Sequence, residues 1–164
     1  MKIKEIELRE IQKKDNLEIY KIIRKILESY QLNKNGTAYT DPQLSQLYEF
    51  YQKESRAKYW VITKDSSVIG GIGIAPFADY KEVAEVQKFY IKEEEQGKAY
   101  GKILLNKALS YAKEEDYKKV YIETMDILER ANKLYEAYGF RSLKNPFKGS
   151  EHGLMNRWYI HSIV

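Results

Sequence analysis

The segment 83–125 constrains the fold of this chain more than any other part of the sequence. Residues 83–91 have the apolar content of a strand, and the small residues at 96–102 form a turn. A helix with a broad apolar face follows, and residues 119–125 return as a second strand. This order predicts one parallel crossover within a sheet, because the helix carries the chain back to the end from which the first strand started.

The remaining sequence alternates short strands and helices. Two apolar runs around Asp65-Ser66-Ser67 predict a hairpin and hence antiparallel pairing. Apolar residues at helical spacing predict a first helix with Asp15 as its N-cap, and Asp41-Pro42 predicts the start of a second helix. With residues 1–11 as the first strand, the predicted order is β α α β β β α β α β β, and we expect residues 1–164 to form a single domain.

The amino-acid composition excludes several kinds of site. The chain contains no cysteine, which excludes disulfides, thiolate zinc sites, iron–sulfur clusters and a cysteine nucleophile. Its two histidines cannot form a three-histidine metal site and no HExxH motif is present, so we expect no metal. No apolar run approaches the roughly 20 residues of a membrane span, and we expect a cytoplasmic protein. A net charge of +4 suits a small anionic ligand and does not indicate nucleic acid.

The turn at 96–102 predicts an anion site. A turn of small residues that opens a helix leaves backbone N–H groups unpaired, and the helix dipole adds positive potential there. Lys98 and Lys102 add formal positive charge. The alternative is a plain strand-to-helix connection in which glycine serves only the backbone geometry.

Two better-known phosphate motifs are excluded. A Walker loop needs four residues between its glycines, whereas Gly97 and Gly101 bracket only three. The run Gly71-Ile72-Gly73 begins like a dinucleotide-binding motif, but Pro76 stands at the position of the third glycine. We interpret this glycine-rich run as part of a strand that another backbone approaches closely.

Two motifs in the last 110 or so residues resemble the GNAT superfamily of N-acetyltransferases. The segment Gln96-Gly97-Lys98-Ala99-Tyr100-Gly101 is similar to the family sequence [Q/R]xxGx[G/A], with Ala99 in place of the usual glycine. Because alanine disfavours a positive φ, we expect another backbone conformation at Ala99. The segment Ala131-Asn132-Lys133-Leu134-Tyr135-Glu136-Ala137-Tyr138-Gly139-Phe140 resembles the family's A-N-x-L-Y-E-x-x-G-F.

The resemblance implies an α/β fold and a binding site for acetyl-CoA. The implied sheet is mixed and mostly antiparallel, has six to seven strands, and is flanked by about four helices. We expect it to splay apart between the strands at 83–91 and 119–125, so that acetyl-pantetheine reaches free backbone groups at the centre of the sheet. The implied cofactor-binding residues are Phe89, Tyr90, Ile91, Gln96, Gly97, Lys98, Ala99, Tyr100, Gly101, Lys102 and Asn132.

The resemblance also implies catalytic and acceptor-binding residues. Tyr135 stands where the family places the general acid for the departing thiolate, and the alternative is that its ring only packs in the core. Glu85, in a strand of the form E-x-x-K-x-Y, is the first candidate for the base; Glu123 and a bound water are alternatives, and both glutamates could instead face solvent. His152, in a loop before a W-Y-I strand, is a candidate acceptor-site residue or a solvated loop histidine.

The sequence thus predicts an acetyl-CoA-dependent N-acetyltransferase that transfers the acetyl group directly to a primary amine in a ternary complex. The alternative is a non-catalytic module that binds or senses acyl-CoA. The expected partners are a small-molecule or peptide amine, without nucleic acid or membrane, and a homodimer through the C-terminal strands. The acceptor remains open among polyamines, amino acids, aminoglycosides, small metabolites and protein N-termini, because the acceptor pocket is built from variable loops.

Overall fold

The computed structural model describes residues 4–164, so the first three residues of the predicted strand 1–11 lie outside the described part. The strands are β1 (Ile6–Glu10), β2 (Lys58–Lys64), β3 (Ser67–Phe77), β4 (Tyr80–Ile91), β5 (Lys119–Thr124), β6 (Arg141–Leu143) and β7 (Arg157–Ser162). The α-helices are α1 (Asn16–Ser29), α2 (Leu47–Lys53), α3 (Tyr100–Glu114) and α4 (Glu129–Ala137).

The described strands form one seven-stranded sheet in the order β1-β2-β3-β4-β5-β7-β6. Every neighbouring pair is antiparallel except β4 and β5, which are the parallel pair that the crossover through α3 predicts. The predicted hairpin is confirmed as β2 and β3. Asp65 and Ser66 form its two-residue turn with φ values of 50° and 71°, the left-handed backbone that matches the twist of a tight hairpin.

The sheet splays apart at its centre, as predicted. Strand β4 pairs with β5 only from Val83 to Glu85. Beyond Glu85, β4 stays paired with β3 as far as Ile91, whereas β5 continues beside β7. A gap therefore opens between the second half of β4 and the end of β5, and we call it the β4–β5 gap.

The helices cover both faces of this sheet because successive side chains of a strand point to opposite faces. On β2, Trp60 and Ile62 pack with α3 residues such as Leu104, whereas Tyr59 and Val61 pack with α1 and α2. Helices α1 and α2 close one face and helices α3 and α4 the other.

One predicted helix start is confirmed and one is wrong. Asp15 occupies the N-cap position of α1, but its carboxylate makes no cap hydrogen bond to that helix; it accepts from the Gln12 amide at 2.7 Å and pairs with Arg9. The second helix does not start at Asp41-Pro42. A 3₁₀ turn at Leu44–Gln46 intervenes and α2 begins at Leu47, and the Asp41 carboxylate is engaged in an ionic cluster described below.

Candidate active site

A cavity of about 390 Å³ lies where the β4–β5 gap meets the start of α3. Helix α4 and the end of α1 complete its walls, and most of the lining is apolar. Of the predicted cofactor-binding residues, the following line this cavity: Phe89, Tyr90, Ile91, Gln96, Gly97, Ala99, Gly101 and Lys102. The structure thus brings together the strand end and the turn that the sequence placed in one site.

The 96–102 turn is folded back on the end of β4. The Gln96 side chain donates from Nε2 to the Ile91 carbonyl at 2.9 Å, which joins the turn to the strand. Gly97 has φ 78° and Ala99 has φ 70°. The expectation that Ala99 avoids a positive φ is wrong: it holds the left-handed backbone that favours glycine, as the residue preceding α3.

Arg130 extends the positive character of this turn and was not predicted. Its guanidinium lies so close to Gly97 that a Cβ on that residue would collide with it. Lys133 and Lys102 also line the cavity, so three basic side chains surround its largely apolar walls. The first N–H groups of α3 have no partner within the helix, and together these groups suit the phosphates of a CoA-type ligand. The only sequence feature that pointed to Arg130 as a site residue was its position in the first turn of a predicted helix.

Three residues predicted in the cofactor set do not line the cavity: Lys98, Tyr100 and Asn132. The Lys98 amine pairs with Glu95 at 3.2 Å, and its side chain is 49% exposed. Tyr100 packs against the core under α3, and Asn132 is buried. The backbone of the turn is therefore better placed to meet a ligand than the Lys98 side chain.

Asn132 carries a buried polar atom without a partner. Its Nδ2 donates to the Met125 carbonyl at 3.0 Å, which fixes the orientation of the amide. Its Oδ1 has no hydrogen-bond partner among the described residues, although the side chain is buried. Leaving a buried acceptor unpaired is costly. A ligand N–H, such as an amide of pantetheine, would satisfy this oxygen, and the neighbouring Ala131 and Lys133 line the cavity although Asn132 itself does not.

Tyr135 is buried against the strand that leads into the cavity. Its ring packs on Phe89, Phe140 and Tyr159, with ring centroids 5.6 to 6.3 Å apart. Among residues 4–164, no group hydrogen-bonds to its hydroxyl. Burial raises the pKa of this phenol well above its usual range, so the hydroxyl keeps its proton and remains able to donate it.

Glu85 is the last residue of β4 that pairs with β5, so it lies where the β4–β5 gap begins. Its Oε1 accepts from Gln87 Nε2 at 2.8 Å, and Gln87 in turn accepts from the Tyr51 hydroxyl at 2.6 Å. Burial raises the pKa of the Glu85 carboxyl to about 7, and the charge of Glu123 adds to this increase. A carboxyl group that titrates near neutral pH beside an open cleft can act as a general base.

Glu123 faces the same gap from β5. Its Oε2 accepts from the Tyr121 hydroxyl at 2.7 Å. The Tyr121 ring stacks on Phe147 at 4.7 Å, and the Phe147 amide donates to the Tyr121 oxygen. The loop 144–156 is therefore tied to β5 beside the gap.

His152 belongs to an ionic cluster with Asp41 and Lys88, two residues that the sequence analysis did not select. Its Nε2 lies 2.9 Å from the Asp41 carboxylate, which also pairs with the Lys88 amine. The hydrogen bond to Asp41 raises the pKa of His152, and the imidazole is held in its charged form over a wider pH range. His152 is thus held in an ionic cluster and is not a solvated loop histidine. Asp41 and His152 are 111 positions apart, so no local signal could connect them.

Within residues 4–164, no helix is both long and apolar enough to cross a bilayer.

Comparisons with known proteins agree with this geometry. The model of the acetyltransferase (GNAT) family matches residues 18–140. The uncharacterized N-acetyltransferase YjgM of Escherichia coli K12 is 35% identical over 138 residues, which cover 83% of this chain and 82% of the relative. A GNAT-family acetyltransferase from Staphylococcus aureus Mu50 superposes with a TM-score of 0.84 at 21% identity, covering 98% of this chain and all of the other.

A second solved structure carries the cofactor. The yncA protein from Salmonella typhimurium, determined with its cofactor acetyl-CoA, superposes with a TM-score of 0.77 at 15% identity, covering 98% of this chain and 95% of the other. These two structural likenesses establish the fold, and the family model and YjgM establish the family. The chain therefore belongs to the acetyltransferase (GNAT) family and is an N-acetyltransferase.

Proposed function

We propose that this protein transfers the acetyl group of acetyl-CoA directly to a primary amine, within a complex that holds both substrates. The observation that carries the proposal is Glu85, a half-buried carboxyl group with a pKa of about 7 at the point where the β4–β5 gap opens. The cavity with the 96–102 turn borders the gap, and the ionic cluster of His152 includes Lys88, which lies in the part of β4 that borders the same gap.

Acetyl-CoA would bind in the cavity, with its phosphates at the 96–102 turn and beside Arg130. The pantetheine would run along the free edge of β4 like an added strand, bonding the backbone around Phe89 and Ile91. Asn132 would accept from a pantetheine amide. Support for this placement comes from the unpaired Oδ1 of Asn132 and from the close approach of Arg130 to Gly97.

Glu85 would take the proton that the amine must lose before it attacks the thioester. An ammonium group has no lone pair, so a base is required near neutral pH. The Gln87–Tyr51 chain holds the carboxylate in place, and Glu123 lies close enough to affect its pKa. A strand N–H near Ile91 would stabilise the negative charge that develops on the acetyl oxygen.

Tyr135 would donate a proton to the thiolate of CoA as it leaves. The raised pKa of its hydroxyl keeps the donor protonated, and its ring packs on Phe89 at the wall of the cavity. The chain has no cysteine to form a covalent acetyl intermediate, which favours direct transfer.

The coarse class of acceptor follows from the family, whose members act on small-molecule or peptide amines. We further propose that residues 1–164 act as one acetyltransferase domain. A cytoplasmic location and a homodimer through the C-terminal strands stay predictions.

The proposal is tested by calorimetry with acetyl-CoA, followed by thiol release with a panel of amines at pH 8. We expect the parent protein to bind acetyl-CoA and to release thiol with at least one amine. Glu85→Gln should lower turnover by about 10² or more, the scale for loss of a general base, whereas Glu82→Gln, at an exposed position of the same strand, should not. Binding without turnover on any amine would favour the non-catalytic acyl-CoA module instead.

A further inference from the structure

Lys88 has a backbone conformation that is unusual for the interior of a strand. Its φ is 49°, in the left-handed region that disfavours every residue except glycine. The register of β3 and β4 shifts at the same point, because Gly71 pairs with Tyr90 and Gly73 pairs with Gln87. Three steps along β4 therefore face two steps along β3, and Lys88 lies in the resulting bulge.

The structure holds Lys88 at both its backbone and its side chain. The Tyr59 hydroxyl donates to the Lys88 carbonyl at 2.7 Å, a fully buried hydrogen bond. At the other end, the Lys88 amine pairs with Asp41, and the lysine side chain is only 5% exposed. These two contacts offset the strain of the left-handed backbone and keep Lys88 in one conformation.

The glycines of β3 allow this arrangement. A Cβ on Gly71 would lie 2.5 Å from the Tyr59 ring, and a Cβ on Gly73 would lie 2.5 Å from the Tyr51 hydroxyl. Tyr59 and Tyr51 thus cross β3 where it has no side chains and reach β4, at Lys88 and Gln87 respectively. The sequence interpretation of a close backbone approach is corrected for these two positions, since tyrosine side chains fill the space. A close backbone approach occurs instead at the preceding Gly70, where a Cβ would lie 2.7 Å from the backbone oxygen of Tyr90.

The bulge lies in the part of β4 that borders the β4–β5 gap. Strand β4 has no partner on the β5 side there, so pairing on that edge cannot fix the direction of its amides. The ladder to β3 is interrupted only between Gln87 and Tyr90, since Tyr90 and Ile91 pair again with Gly71 and Gly70. The orientation of the backbone at Lys88 and Phe89 therefore depends on contacts outside the sheet.

We propose that Tyr59 is a positioning residue for acetyl transfer and that it acts together with Asp41. The Tyr59 hydroxyl holds the Lys88 backbone in the left-handed conformation, and Asp41 holds the Lys88 amine. This conformation directs the neighbouring β4 amides at the acetyl carbonyl. This inference rests on the proposed function, since it takes the backbone around Phe89 and Ile91 as the acetyl-binding edge. Tyr59 contacts neither substrate and acts only through Lys88.

The first test compares two tyrosine-to-phenylalanine variants. Tyr59→Phe removes the hydroxyl that bonds Lys88, and Tyr117→Phe removes a similar bond, from a buried tyrosine to the Arg56 carbonyl at 2.8 Å, away from the site. Both variants lose one tyrosine-to-backbone hydrogen bond, so their losses in thermal stability should be alike.

The two variants should differ in function. Tyr59→Phe should lower the turnover number by about 10-fold or more, with a smaller change in the Michaelis constant of the amine. It should also reduce the preference for acetyl-CoA over CoA in calorimetry, because the β4 amides would no longer point at the acetyl group, which CoA lacks. Tyr117→Phe should keep both properties within about 2-fold of the parent protein. If Tyr59→Phe matches Tyr117→Phe in turnover and in ligand preference, Tyr59 is only a packing residue and the inference is wrong.

A second pair isolates the backbone of Lys88. Lys88→Ala and Lys88→Gly both remove the amine, but only glycine accepts a φ of 49° without strain. We expect the glycine variant to retain several-fold more turnover than the alanine variant; equal activities would overturn the role of the left-handed conformation. If the parent protein acetylates no amine, the proposed function fails, and the comparison of acetyl-CoA with CoA affinity still decides the inference.

Discussion

Replacing Glu85 by glutamine should make the protein more stable and less active, and both changes should depend on pH. The folded protein raises the pKa of this carboxyl from 4.5 to about 7. The folded state therefore holds the Glu85 proton more tightly than the unfolded state does. Between these two pKa values the folded protein binds more protons, so the free energy of unfolding falls as the pH rises through this window. Above pH 7 the full cost of the ionised carboxylate is present.

The magnitude follows from the size of the shift. Going from 4.5 to about 7 is a change of about 2.5 units, and at about 1.36 kcal/mol per unit the cost is about 3 kcal/mol, an upper bound. At pH 4 the protonated carboxyl and the glutamine amide are both neutral and of similar shape, and the amide oxygen can still accept from Gln87. The stability gain from Glu85→Gln should therefore be near zero at pH 4 and grow to as much as about 3 kcal/mol at pH 8.

Urea unfolding of both proteins between pH 4 and 8, without ligand, measures this difference. Glu82→Gln is the matched control, since Glu82 is an exposed carboxyl group on the same strand and its replacement should change stability by about 0.5 kcal/mol or less at any pH. In parallel, turnover of the parent should rise about tenfold per pH unit below 7 and then level off, and this rise should vanish in Glu85→Gln. A stability difference that does not change with pH would refute the assignment of Glu85 as the group that titrates near 7.

Three further substitutions test the cofactor side. Tyr135→Phe should lower single-turnover rates by about 10² or more with little change in acetyl-CoA affinity, and a variant as fast as the parent would make Tyr135 a packing residue. Gly101→Asp, which adds charge and bulk beside Phe89 and Leu134, should weaken acetyl-CoA binding in calorimetry more than Lys98→Ala, whose exposed amine contributes about 1 kcal/mol or less; the reverse ranking would contradict binding by the backbone of the turn. Ala99→Gly should raise the free energy of unfolding by about 0.5 to 1 kcal/mol because φ is 70°, whereas Ser110→Gly, at an exposed position inside α3, should lower it; a loss at Ala99 would refute the strain.

The fold could be predicted from the sequence because its signals are local. The Asp65-Ser66 hairpin, the strand–turn–helix at 83–102 and the closing Gly139 of α4, with φ 88°, are each encoded within a few residues. The paired motifs then implied the splayed sheet, which the three-residue pairing of β4 with β5 confirms. The start of α2 was predicted less well, since Asp41 forms a tertiary ion pair with Lys88 and does not cap that helix.

The surroundings of Glu85 and His152 could be predicted only in part because their contacts join distant segments. Glu85 and His152 were selected from their motifs, but the partner of His152 lies on the loop before α2. Nothing in the sequence near Lys88 indicates that its carbonyl binds Tyr59, which reaches it across β3. Arg130 was missed for a related reason, since its approach to the 96–102 turn depends on how α4 packs beside α3. Such contacts follow from the assembled fold and not from spacing along the chain.

The β4–β5 gap also has a consequence for handling the protein. The second half of β4 presents an open strand edge in the middle of the sheet, and an open edge can recruit a strand from another molecule. A ligand that occupies this edge as an added strand would both protect it and, by binding only the folded state, raise the melting temperature. Protein stored without acetyl-CoA should therefore aggregate faster than protein stored with it, and CoA in the purification buffer should lengthen its shelf life.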